Sequence, residues 1–317
     1  MFLEQNISKE NPFWKYLIGS VIVLLVSIIG QIPLLIVIGV KALEAGSYPT
    51  TNEELLQFLE PNLSLFLILI SFVFGLAGLY FVIKYFHKQT FLSVTTSRKK
   101  TDWNRIFFAF GLWSIITLVS TGIMYYFVPE MFEFNFKPIP FLLLFLIATV
   151  LIPFQTSTEE YLFRGYLMQG FAGLAKNKWF PLLMTSVIFG GMHIANPEVE
   201  KMGYIIMVYY IGTGLFLGIV TLMDEGMEIA LGFHAANNLV SALLITSDWS
   251  AFQTHSILKD ISEPKAGIDV ILPVLVIYPI LLFVFSKKYK WINWKEKLTG
   301  KIFEQPIVTA NTTQTND

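Results

Sequence analysis

A chain of 317 residues that is 54% hydrophobic, only 14% charged and carries 29 phenylalanines holds more apolar surface than a water-soluble domain of that length can hide. A mean hydropathy of +0.60 agrees, so the preferred solvent is lipid. The net charge of −1 identifies no partner, nothing suggests nucleic acid, and the absence of cysteine excludes a disulfide framework, a thiolate nucleophile and thiolate metal ligands.

About 20 apolar residues cross the ~30 Å hydrocarbon core of a bilayer. Eight such runs follow in chain order: 16–40, 62–86, 105–128, 140–158, 178–195, 203–223, 228–246 and 268–286. The expected fold class is therefore all-α, a multi-spanning membrane protein of about eight transmembrane helices. The first run lacks a small-residue cleavage site and is flanked by Lys15 and Lys41, which suits a retained helix better than a removed signal. No linker divides the chain, so residues 1–302 read as a single integral membrane domain. The polar tail, 303–317, reads as disordered.

An even number of spans puts both termini on one side. If that side is the cytosol, sixteen of the 22 Lys and Arg lie in cytosolic segments, namely 1–15, 84–105, 176–178 and 287–301. Outward loops carry Lys41, Lys137, Lys201, Lys259 and Lys265. The positive-inside bias thus predicts a multi-pass protein of the plasma (inner) membrane with cytosolic termini. "SKKYKWINWKEKL" mixes lysine with Trp291 and Trp294, as expected of a segment resting on anionic membrane lipid. "GLFLG" at 214–218 is a small-residue pattern read as internal helix packing in preference to a homodimer contact.

A charge at mid-membrane costs about 2.5–3.5 kcal/mol on insertion scales, so polar groups inside apolar runs are paired, cavity-facing or functional. Here they are Glu159, Glu160 and Arg164 in "STEEYLFRGYL", His193 in "VIFGGMHIAN", and His234, Asn237 and Asn238 in "LGFHAANNL". Residues four apart share a helix face, so Glu160 and Arg164 can pair as helix support while Glu159 points elsewhere without a local partner. With a turn near Leu174, Glu159 and His193 stand ~22 and ~28 Å from it, similar heights in an antiparallel hairpin. His234 begins only ~12 Å from the 223–228 turn, so levelling all three requires the hairpin to protrude further. His87 and His255 fall in loops and read as solvated.

A carboxylate and a neutral imidazole sharing a water can polarise it as a nucleophile, while a second imidazole and an amide stabilise the oxyanion formed at an amide carbon. The set therefore suits peptide-bond hydrolysis, with Glu159 as general base, His193 orienting the water, and His234 with Asn238 as oxyanion hole. A serine mechanism has no recognisable nucleophile setting; Ser157 and Ser186 are the nearest candidates. Zinc is the alternative cofactor, for which Glu159, His193 and His234 would be the three ligands, but no HExxH helix supports it. A transporter, or an immunity or scaffold protein, could use the same polar cluster.

"EEYLFRG", "FGGMH" and "HAANN" resemble the E-E-x-x-x-R, F-x-x-x-H and H-x-x-x-N/B motifs of the CAAX protease and bacteriocin-processing family of intramembrane proteases, which includes the type II CAAX prenyl endopeptidases. The likeness covers the motif-bearing core, 140–246. It implies about eight helices around a conical cavity open to the cytosol, catalytic positions at Glu159, His193, His234 and Asn238, and supporting positions at Glu160 and Arg164. It also implies an endopeptidase acting on a peptide or protein substrate, prenylated or not; the motifs leave metal dependence open, and a glutamate-dependent, metal-free mechanism is the preferred reading of the residues.

Overall fold

The structure, a computed structural model, describes residues 2–7, 10–265 and 267–302. The expected tail 303–317 lies outside the described residues.

Helices occupy all eight expected runs: α1 (Phe13–Ala45), α2 (Pro61–Phe86), α3 (Trp103–Phe127), α4 (Pro138–Ala175), α5 (Trp179–Gly191), α6 (Tyr204–Asp224), α7 (Glu228–Leu244) and α8 (Val270–Tyr289). Among the described residues six are long and apolar enough to cross a membrane, all but α5 and α7. The two exceptions have 13 and 17 residues, or ~20 and ~26 Å at 1.5 Å per residue. The chain is thus an all-α, multi-spanning membrane protein, and its two short helices are the ones that bring histidines to the candidate site.

Local chemistry fixes the helix starts. Glu60 accepts a hydrogen bond from the Leu63 amide ahead of α2, and Asp102 accepts from Asn104 at the start of α3, satisfying amides that lack helical partners. Pro138 stands at the first position of α4, where its missing N–H costs nothing. Immediately after Glu160 the helix widens into a π-helical stretch, Tyr161–Leu167, a local irregularity that often accompanies functional sites.

α1 packs on α2, α3 on α7, α5 on α6, and α4 lies between α2 and α7. Close approaches explain several glycines. A Cβ at Gly232 would lie 2.0 Å from the Ile106 carbonyl oxygen, which sets the α3–α7 spacing. Gly214 and Gly218 of the "GLFLG" stretch face Ser186 and Leu182 of α5, so the small residues serve packing inside the chain. Outward faces of α1 and α3, among them Leu24, Leu35, Phe107 and Ile115, are exposed apolar surface suited to lipid.

The two ends of the bundle differ. At one end, three-residue strands add a small sheet to the helical fold. β1 (Phe132–Phe134) runs antiparallel to β3 (Leu258–Asp260), which pairs in parallel with β2 (Ile245–Ser247). Glu60 joins His255 there at 2.7 Å. The other end gathers the first and last described residues: the Phe2 amide donates to Glu225, and the Lys178 amide donates to the Gly300 carbonyl. That end also holds segments 84–105, 176–178 and 287–301, so it is the basic end. His87, expected to be solvated, is instead buried there, with Nε2 2.8 Å from the Tyr166 hydroxyl and its ring against Tyr16, because the turn after α2 folds under α1 and α4.

Candidate active site

The polar residues of α4, α5 and α7 meet at mid-molecule. In the supporting layer, Arg164 Nη1 donates to Glu160 Oε1 at 2.9 Å and Nη2 donates to the Gly214 carbonyl at 3.0 Å, both side chains fully buried. The Arg164 guanidinium also lies over the Phe189 ring, 4.5 Å from its centroid. Each charge offsets the desolvation of the other, and the Gly214 carbonyl fixes the guanidinium against α6.

Glu160 does more than pair with arginine. His234 Nδ1 lies 2.7 Å from the same Oε1, so the carboxylate holds the imidazole with its proton on Nδ1 and directs Nε2 toward Glu159, whose Oε2 is 3.6 Å away. The expected separation of Glu160 as helix support from His234 as site residue therefore needs amending, since one carboxylate oxygen serves both.

A chain of amides orients Glu159. Gln155 Nε2 donates to Glu159 Oε1 at 2.5 Å, Asn238 Nδ2 donates to Gln155 Oε1 at 3.0 Å, and Asn237 Nδ2 donates to Asn238 Oδ1 at 3.0 Å. Trp113 Nε1 in turn donates to Asn237 at 3.1 Å. Glu159 Oε2 ends this chain buried and without a hydrogen bond among the described residues. Gln155 and the Trp113–Asn237 contact escaped sequence reasoning. Gln155 was findable, for it stands four residues before Glu159 on the same helix face.

His193 sits two residues beyond α5. Its Nδ1 lies 2.8 Å from the Phe189 carbonyl and so donates to it, leaving Nε2 as an acceptor, and its ring stacks on Tyr210 at 4.4 Å. Glu159, His193 and Asn238 line one cavity of about 650 Å³, together with Gln155, Asn237 and Tyr210. His234 stands behind Glu159 and does not line the cavity itself. Glu198, from the short helix Pro197–Met202, also lines it. Its Oε1 accepts from the Ala251 amide at 2.8 Å, its Oε2 is buried without a hydrogen bond among the described residues, and burial raises its carboxyl above the usual range.

As a metal cradle the set fits poorly. Among the described residues no three His, Cys, Asp or Glu side chains gather as a metal site, although the Nδ1 contacts of His193 and His234 leave both Nε2 atoms in the orientation a ligand would need.

The cavity also has a definite side. Its lining includes Asn196, Glu198 and the segment after α7, with Trp249, Ser250 and Phe252, and no lining residue comes from the loops of the basic end. A cavity facing the cytosol is therefore incompatible with a cytosolic basic end, where the first and last described residues lie.

Residues 138–240 match the Rce1-like family model, described as type II CAAX prenyl endopeptidase Rce1-like. The chain is 28% identical over 247 residues to the uncharacterized protein YyaK of Bacillus subtilis (strain 168), an alignment covering 78% of this chain and 82% of that one. No solved structure matches it. The segment that supplies Gln155, Glu159, Glu160, Arg164, His193, His234 and Asn238 thus lies within the match to the Rce1-like family model.

Proposed function

We propose that the protein is an intramembrane endopeptidase of the CAAX prenyl protease type in which Glu159 activates water. What supports this most is Glu159 Oε2, a buried carboxylate oxygen with no hydrogen bond among the described residues, on a side chain held at Oε1 by Gln155 and facing a cavity that His193 and Asn238 also line.

The geometry suggests the following course. A water between Glu159 Oε2 and His193 Nε2 is oriented by the imidazole and gives its proton to the carboxylate as its oxygen adds to the amide carbon. The oxyanion so formed takes the second N–H of Asn238, whose first is engaged by Gln155, while His234 stands behind Glu159 with Nε2 3.6 Å from its Oε2. Collapse of the tetrahedral species breaks the C–N bond, and the proton on Glu159 passes to the departing amine. Glu160 and Arg164 act through His234 and the helix, as positioning residues.

Transport would need a polar path through the molecule. Below the cavity stand the closed Glu160–Arg164–Gly214 contacts and the buried side chains of Phe163, Tyr166 and Leu167, which favour a blind site.

Purified protein should cleave at least one member of a panel made of a prenylated CAAX peptide and unprenylated membrane peptides. Glu159→Gln should abolish that cleavage and a strong chelator should leave it intact. Cleavage that survives Glu159→Gln would overturn the role of that residue, and loss on chelation restored by zinc would overturn the metal-free course.

A further inference from the structure

The side on which the cavity lies can be set against the distribution of charge. Among the described residues the basic end carries fifteen Lys and Arg, while the sheet-bearing end carries five. Acidic residues show the reverse trend: Glu130, Glu133, Glu198, Glu200, Asp248 and Asp260 all lie around the sheet-bearing end. Lys and Arg near span ends set orientation during insertion, and a bias of this size places the basic end in the cytosol. The cavity is bounded by Glu198 and the 245–252 segment at the other end, and its lining includes Glu159, Glu198 and Asp260 but no Lys or Arg.

We infer that the candidate active site is served from the extracytoplasmic side of the membrane, and that its substrate is a peptide segment presented at the outer surface or outer leaflet. This rests on the endopeptidase reading for the word substrate, but not for the side of entry. A cytosolic prenylated tail would have to cross the packed layer formed by Glu160, Arg164, Phe163 and Tyr166 to reach Glu159. Glu198 lines the cavity beside the 245–252 segment, and its Oε2, buried and without a hydrogen bond among the described residues, is an acceptor for an N–H or ammonium group of such a peptide.

The native chain has no cysteine, so single cysteines report position without background. Ser250→Cys and, deeper in the cavity, Ser241→Cys are compared with Asn104→Cys at the basic end, each in the full chain expressed in intact cells. A membrane-impermeant maleimide should modify Ser250→Cys or Ser241→Cys from outside and reach Asn104→Cys only after permeabilisation. The opposite pattern, or cavity cysteines that react only after permeabilisation, would overturn the inference. Because labelling involves no cleavage, the side of entry can fail while Glu159-dependent hydrolysis stands, and the reverse. In right-side-out vesicles, a peptide substrate of the purified enzyme added outside should be cleaved by the native chain and not by Glu159→Gln. Cleavage only when the peptide is enclosed would count against outer entry.

Discussion

Carboxylates at the two ends of the molecule are treated in opposite ways. At the basic end every oxygen of Asp224 and Glu228 is engaged. Asp224 is held by Arg98 at 2.9 Å, by Arg105 and by Trp291 Nε1 at 3.0 Å, and Glu228 by Arg98 at 3.0 Å and the Asp102 amide at 3.3 Å. In the cavity, Glu159 and Glu198 each have one oxygen held and one buried oxygen without a hydrogen bond among the described residues. Full pairing makes a charge a structural tie; a half-satisfied carboxylate is costly unless it gains a partner in use. Adjacent residues repeat the contrast, for Glu160 is tied to Arg164 and His234 while Glu159 faces the open space.

The contrast breaks most visibly at the buried pair. Glu160→Gln or Arg164→Leu alone should destabilise the protein by about 3–5 kcal/mol, since each strands a buried charge. The double substitution should recover much of that stability but no cleavage, because His234 loses the carboxylate that orients it; thermal unfolding in detergent beside an activity assay reads both. At the basic end, Arg98→Ala should cost about 1–3 kcal/mol and leave the KM and kcat of the remaining folded enzyme unchanged. A change in KM there would blur the distinction between the ends. Glu198→Gln should leave stability within experimental scatter and raise KM about three- to fivefold for a peptide with a basic residue, with less effect on a neutral one.

The smallest effect is one of pH. Burial, and then the neighbouring Lys15 charge, depress His87 from its ordinary 6.5 to about 4. The unfolded chain therefore binds this proton between about pH 6.5 and 4 while the folded chain does not, so the His87 contribution is intact above that window and is lost as pH falls through it. His87→Gln should flatten the dependence of thermal stability over this interval.

Much of this organisation is legible in the sequence. Apolar run length locates the helices, and the polar groups inside them name Glu159, His193, His234 and Asn238. Uncharged Gln155 carries no insertion penalty large enough to attract notice, yet it is what orients Glu159. Glu198 lies between two apolar runs, where a glutamate is ordinary, and only the fold turns it into the cavity. The three-residue strands are too short to show alternation. His87 reads as solvated because nothing local reveals that Tyr166, 79 residues away, covers it.

The central claim is that neighbouring glutamates have divided roles, and it is tested most directly by measuring unfolding temperature and peptide cleavage together for Glu159→Gln and Glu160→Gln. The account predicts that Glu159→Gln keeps the native unfolding temperature and loses cleavage by about two to four orders of magnitude, while Glu160→Gln unfolds at markedly lower temperature. A Glu159→Gln protein that is destabilised as much as Glu160→Gln, or that still cleaves, would contradict it.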